Sequence, residues 1–341
     1  MIDLLIFDMD GVLVDVSQSY RKAIQQTIGL YLEQCLGLKP IRVSNEEITL
    51  FKSAGGFNND WDLTSGFLRY LLSEFKLPSL SRKRNVSSLD QAVLFLRQRL
   101  SSVGRPNPFR PSRESLLSFL DAVKASGGGP KGIRSALKGR FEGWVYDSGD
   151  LDRENLVKRI FQELYLGERF PSHYGLPRRF YRGEGLYLRE RLLIGRRILS
   201  ALRKRGLKLG IASGRPRREA ELALKRFRIA SYFDAVVTLD ECQEEERRIY
   251  RETGRRVQRT KPHPYSLLKV IEEIGISRPR CGYVGDVVDD MRAARAAGKS
   301  SQMTAIGFLR GRHHRPTLRE ALLKAGADLL IESPEELLRR I

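Results

Sequence analysis

Cysteine is scarce in this chain. Its 341 residues include only Cys35, Cys242 and Cys281, far apart and without metal-ligand spacing. That excludes a disulfide framework and a zinc-ribbon pattern and favours a reducing, cytoplasmic setting. Long apolar runs are missing too: none reaches the roughly 18 residues of a membrane span, so none is expected. The first residues, with Asp3, Asp8 and Asp10, form no basic leader with a cleavage site. A secretory signal is therefore not expected. Histidine is sparse, and neither His263 alone nor adjacent His313 and His314 makes a recognisable zinc pattern. No internal repeat is evident.

Charge of one sign dominates what is present. Lys and Arg number 61 against 41 Asp and Glu, a net +20. Such a balance attracts polyanions, nucleic acid among them. Residues 16–190 hold 28 basic and 18 acidic side chains and the remainder 33 and 23, so each part carries +10. On that division the excess is spread rather than confined to an arm, and nucleic acid is the less favoured partner.

The chain is organised around its first apolar run. Leu4-Leu5-Ile6-Phe7 is too short for a helix and reads as a buried parallel strand. It ends in Asp8-Met9-Asp10-Gly11. Alternate residues of an extended chain face the same way, which directs Asp8 and Asp10 toward one place. Open α/β sheets bind ligands at the carboxyl ends of their strands. Gly11 lets the chain leave the strand with dihedrals that other residues avoid.

Beyond Asp15 the periodicity is helical. Ser17 reads as the N-cap of a helix through Cys35, with Tyr20, Ile24, Ile28 and Tyr31 on its apolar face. Further helices are expected over 60–77, 88–100, 112–125 and 152–166, the third of these ended by Gly127-Gly128-Gly129-Pro130. The Ser-, Pro- and Arg-rich stretches 79–85 and 101–112 read as loops. From Leu192 helices alternate with strands. Helix 192–205 precedes strand 207–212, which runs into Ser213-Gly214-Arg215, with Pro216 in the first turn of the next helix. Strand 233–239, helix 264–274, strand 281–284 into Gly285-Asp286, helix 289–297 and strands 303–308 and 328–331 follow. The expectation is an α/β fold with a parallel sheet and helices on both faces. Its sheet domain comprises residues 1–15 and 191–341, interrupted by a mostly helical insertion, 16–190.

Four signals now stand at strand ends or in adjacent loops: Asp8-Met9-Asp10-Gly11, Ser213-Gly214-Arg215, Lys261-Pro262 and Gly285-Asp286-Val287-Val288-Asp289-Asp290. In that order they resemble the haloacid-dehalogenase superfamily. The likeness covers residues 1–15 and 191–341 and implies a Rossmannoid core, the insertion resembling that superfamily's first class of cap. The chemistry is consistent with the residue types. A carboxylate can attack phosphorus to give an aspartyl-phosphate that water later cleaves, and Asp8 matches the family's nucleophile. A second carboxyl can protonate the leaving oxygen and then activate water; Asp10 matches that acid/base. Clustered carboxylates call for a cation, and Mg²⁺ prefers oxygen ligands. The resemblance implies Mg²⁺ on the Asp8 side chain, the Asp10 main-chain carbonyl and Asp286, with Asp290 supporting the site. Asp289 reads instead as charge complementing a helix N-terminus.

Phosphate needs donors and positive charge. Ser213 and Gly214, beside a helix start, suit an anion, and Lys261 suits balancing the nucleophile and the transferring phosphoryl group. Arg215 stands evenly between surface charge and substrate contact. Within the insertion, residues 15–21 and Gly55-Gly56-Phe57-Asn58-Asn59-Asp60-Trp61-Asp62 are similar to phosphoglycolate-phosphatase-like members of the superfamily. Arg21, Asn58, Asn59 and Trp61 are candidate substrate contacts there, or equally a turn, a helix cap and a packed ring. The leading expectation is a cytoplasmic Mg²⁺-dependent phosphatase acting on a small phosphorylated metabolite. A phosphomutase, and a protein that binds or processes nucleic-acid ends, are the alternatives.

Overall fold

The structure is a computed structural model that describes residues 2–57, 59–310 and 316–341. It divides into two compact units, one ending at Val16 and resuming as Arg191–Ile341, the other Ser17–Glu190.

The second unit is helical: α1 (Tyr20–Leu30) continuing into a π-helical turn Tyr31–Cys35, α2 (Asn45–Ser53), α3 (Asp60–Glu74), α4 (Leu89–Val103), α5 (Arg113–Ala125), α6 (Gly129–Ala136), α7 (Leu156–Leu166) and α8 (Phe170–Tyr174). Helix α1 packs on α3 and α7, and α6 on α3 and α5. Aromatic stacks fasten α1 to α7, Tyr20 on Tyr165 at 4.5 Å, and α2 to α3, Phe51 on Phe67 at 4.3 Å between centroids.

Helix starts differ from the expectation at several places. Ser19, not Ser17, precedes α1, and its hydroxyl donates to Glu190 at 3.0 Å. Helix α2 was not expected; a capping box of Ser44 and Glu47 opens it. The glycine run ends α5 as expected, Gly127 and Gly128 donating to Lys124 O and Val123 O, and it also begins α6, with Pro130 in its first turn. Helix α7 starts at Leu156 behind the cap Asn155, four residues later than 152. Its Glu163 is wholly buried and accepts from the backbone N–H groups of Arg179, Phe180 and Tyr181 at 2.9, 2.6 and 3.0 Å. Arg159 Nε donates to the same carboxylate at 2.6 Å.

The first unit holds β1 (Leu4–Phe7), β2 (Val14–Asp15), β3 (Arg191–Leu192), β4 (Lys208–Ala212), β5 (Ala235–Val237), β6 (Arg280–Gly285), β7 (Gln302–Phe308) and β8 (Leu329–Ile331). Six of them form one sheet in the order β5-β4-β1-β6-β7-β8, every neighbouring pair parallel. Helices α9 (Arg196–Lys204), α10 (Arg217–Phe227), α11 (Leu239–Thr253), α12 (Tyr265–Ile274), α13 (Val288–Ala297), α14 (Pro316–Lys324) and α15 (Glu335–Arg340) connect and cover it. Strand β1 is central and fully buried, Leu4 opposing Lys208 on one side and Cys281 on the other. A parallel sheet covered by helices buries both faces of its central strands, which is why β1 is apolar throughout.

Two elements of this unit depart from the sequence reading. Residues 191–192 pair antiparallel with β2, Val14 opposite Leu192, so the helix expected from 192 begins only at Arg196. Helix α11 was not anticipated because only Leu239 and Cys242 of its 15 residues are buried. Its exposed face is laced by ion pairs, Arg248 bridging Glu245 and Glu252 at 2.8 Å. The three cysteines are free and buried. Among the described residues no helix is long and apolar enough to cross a membrane.

Candidate active site

The site gathers where β1, β4 and β6 end. The Asp8 N–H donates to Val284 O of β6 at 2.9 Å, tying the turn after β1 to its neighbour. Met9 O then accepts from Leu13 and Val14, closing a tight turn around Gly11. Glycine is required there twice over. Its φ is +81°, and a Cβ would lie 2.2 Å from an Asp286 carboxylate oxygen. Gly285 is demanded by packing, since a Cβ there would lie 2.3 Å from Asp290 Cβ.

These close approaches bring three buried carboxylates together. Asp8, Asp286 and Asp290 each present an oxygen within 4.8 Å of the others. Asp290 is saturated: Oδ1 accepts from Lys261 Nζ at 2.7 Å and the Tyr283 hydroxyl at 2.9 Å, and Oδ2 from the backbone N–H groups of Asp286 and Val287 at 3.1 and 3.2 Å. It anchors the lysine and the loop, and leaves Asp8 and Asp286 as the carboxylates better placed to bind a cation. Lys261 Nζ also reaches Asp8 Oδ1 at 2.9 Å and donates to the Tyr283 hydroxyl at 2.8 Å.

One ammonium does not neutralise this cluster. Asp8 is raised to about 8: burial is the largest cause, Lys261 pulls against it, and Asp290, Asp10 and Asp286 add to the rise. Burial disfavours the charged form of Lys261, but Asp290 and Asp8 outweigh it and hold its pKa well above the ordinary lysine value. An all-oxygen, electron-rich, buried donor set of this kind suits a hard divalent cation.

Asp10 has its own cation. Arg215, almost wholly buried, donates from Nε to Asp10 Oδ1. The backbone around Arg215 holds it in place: its N–H donates to Ser213 Oγ at 3.1 Å and its carbonyl accepts from Leu239 at 2.9 Å. Ser213 is buried at the end of β4, where its N–H donates to Val237 O, and Gly214 follows it in the turn before α10. The structure thus places Asp8, Asp286, Asp290 and Lys261 in one cluster and pairs Asp10 with Arg215.

The remaining candidates have local partners. Asn59 caps α3, accepting from the Asp62 N–H at 2.8 Å and donating to its carboxylate at 2.7 Å. Trp61 is packed edge-on against Phe161, with Lys158 Nζ 4.7 Å from its ring centre. Arg21 donates to Thr49 Oγ1 at 2.9 Å. Asn58, His313 and His314 lie outside the described residues. Asp289 sits in the first turn of α13 and pairs with Arg292. His263 accepts at Nδ1 from the Tyr265 N–H.

Two residues stand out that the sequence did not assign. Tyr283 links Lys261 to Asp290 from inside β6; its one signal was a polar-tipped ring in a buried strand two residues before Gly285. Arg215 follows Ser213-Gly214 directly, but an arginine opening a helix in a chain this basic carries little information.

Residues 190–298 match the family model for haloacid dehalogenase-like hydrolases. Phosphoglycolate phosphatase of Escherichia coli (strain K12) is 32% identical over 140 residues, 41% of this chain and 46% of the relative. The chain thus spans about half the length of the curated relatives it matches. Among solved structures, a phosphatase from Thermococcus thioreducens is 20% identical with a TM-score of 0.54, over 94% of this chain and 99% of that one. A haloacid-dehalogenase-family hydrolase from Deinococcus radiodurans R1 is 18% identical at a TM-score of 0.50, over 98% and 93%. These two likenesses speak for the fold. The likeness to haloacid dehalogenase-like hydrolases thus rests on residues 190–298, beside a parallel sheet whose strand ends carry the acidic and basic residues described above.

Proposed function

We propose that the chain is a Mg²⁺-dependent phosphatase that hydrolyses a small phosphorylated metabolite through phospho-Asp8. The observation that carries the reading is the buried lysine bridging Asp8 and Asp290 within a carboxylate cluster that it cannot neutralise alone. Similarity to phosphoglycolate phosphatases supports it. The Asp8 and Asp286 carboxylates and the Asp10 carbonyl are the groups proposed to hold the cation, which when bound neutralises the carboxylates and the phosphoryl oxygens.

The chain's own residues do the rest. An Asp8 carboxylate oxygen attacks phosphorus, the bond to the leaving oxygen breaks, and Asp10 delivers its proton to that oxygen. Asp10, now ionised, takes a proton from water, whose oxygen attacks phosphorus. The bond to Asp8 breaks, releasing phosphate and restoring the carboxylate. The Ser213 hydroxyl, the Gly214 backbone and Lys261 are assigned to the phosphoryl oxygens. A cytoplasmic setting belongs to the same reading, supported by three buried free thiols.

The test is Mg²⁺-dependent phosphate release across a panel of phosphorylated metabolites, with Asp8→Asn beside the parent chain. Selective release from a small metabolite, falling at least about 10³-fold in the variant with its fold retained, is expected. Undiminished release by Asp8→Asn would falsify the assignment.

A further inference from the structure

Positive charge is not evenly distributed within the helical unit. Residues 76–140 carry 14 Lys and Arg against three Asp and Glu, a net +11, whereas the rest of 17–190 carries 14 against 15. More than half of the chain's +20 therefore lies in one short segment.

The fold lays two stretches of that segment side by side. Leu80 N–H donates to Arg140 O and Gly143 N–H to Leu80 O, both at 2.6 Å, so that 79–84 runs beside 138–146. The Tyr146 hydroxyl extends the pairing by donating to Arg84 O at 2.9 Å. The Arg84 guanidinium lies over Phe95 of α4 at 5.6 Å, and Arg99 stands one turn further along that helix face. Lys131 in α6 and Lys138 just beyond it lead into Arg140.

Arg82, Arg84, Arg99, Lys131, Lys138 and Arg140 are all exposed. None has a carboxylate partner among the described residues. Of the neighbouring acids, Asp90 is committed to Arg179, Glu142 to Arg69 and Arg134, and Asp147 to Arg69 and Lys83. Glu154 acts on the Tyr146 hydroxyl alongside Arg84, one carboxylate against the six cations. Arg84 covers Phe95, and Arg140 lies over the buried Phe141. The face therefore offers guanidinium and ammonium groups rather than open rings for bases to stack on. Its cations come from a loop, two helices and a turn, not from the flanks of one apolar helix of the kind that lies in a lipid interface.

We propose that this face binds the phosphate backbone of duplex nucleic acid without base selectivity, a binding function separate from the hydrolytic site. The probe is a fluorescein-labelled DNA duplex of mixed sequence, titrated with the full chain while anisotropy is read over a range of salt concentrations. A triple variant, Arg82→Gln, Lys138→Gln and Arg140→Gln, is compared with a control, Lys204→Gln, Lys225→Gln and Lys299→Gln, which removes the same charge from the other unit. Circular dichroism and basal phosphate release verify that both remain folded.

Binding that weakens steeply with salt is expected. The patch variant should bind at least about tenfold more weakly at roughly 100 mM salt, with a log–log salt slope shallower by about 3. The control should stay within about twofold of the parent. Equal losses in the two variants would reduce the effect to overall charge and overturn the proposal. So would failure to bind DNA at that salt, or binding to anionic lipid vesicles in place of DNA.

Discussion

Lys261 and Arg215 divide the carboxylates of the site between them. Lys261 holds Asp8 and Asp290, and the buried Arg215 donates from Nε to Asp10. If Asp10 is the proton donor, Arg215 fixes where that proton is delivered, and its loss is felt most where the leaving group needs protonation. Arg215→Met is expected to slow hydrolysis of alkyl phosphates by about 10²-fold, while p-nitrophenyl phosphate, whose leaving group departs unaided, loses far less. Equal losses on both substrates would assign Arg215 to the fold or to phosphate binding. Asp10 and Arg215 are far apart in sequence, and only the fold shows their pairing. The DxDG signature made the carboxylates legible; the partner of the second one was not.

At the scale of elements, the clearest single dependence is α7 on Glu163. Its carboxylate accepts three consecutive backbone N–H groups and the buried Arg159, tying the backbone of the 179–181 segment to the helix. Glu163→Gln leaves the buried Arg159 with only the more distant, exposed Asp152 as counter-charge and is expected to cost about 3–5 kcal/mol in urea unfolding. A loss below about 1 kcal/mol would show that the segment is held elsewhere. The sheet's main strands were legible because each is an apolar run bounded by turn residues. Elements with weaker signals were not. Strands β2 and β3 are two residues each and exist only through pairing with one another. Helix α6 starts within a glycine run, and α11 lacks an apolar stripe because most of it faces solvent. Helix α2 announced itself only through its Ser44–Glu47 cap, a signal easily passed over without a following apolar run.

Across the whole molecule, stability without metal depends on pH through the same cluster. Asp8 is raised from 3.8 to about 8 in the folded chain, so between these values the folded state keeps a proton that the unfolded state has released. Stability therefore falls as pH rises from about 4 to about 8. A bound divalent cation takes that proton's place, so Mg²⁺ should raise Tm more at about pH 8.5 than at about pH 5. In Asp8→Asn both the decline and the pH-dependent part of the Mg²⁺ effect should shrink; an unchanged profile in that variant would place the dependence on other groups. Charge shows what division by domains conceals. Two parts at +10 each read as a uniform background, yet residues 76–140 alone carry +11.

The central claim is that phosphate passes through Asp8, and the most direct measurement is to trap it there. The Asp10→Asn chain, unable to activate water, is mixed with Mg²⁺ and p-nitrophenyl phosphate, quenched in acid and mapped by peptide mass spectrometry. One phosphoryl group on the peptide carrying Asp8, absent when Asp8 is also changed to Asn, is the predicted result. A phosphoryl group on any other residue, or steady turnover with none on Asp8, would contradict the account.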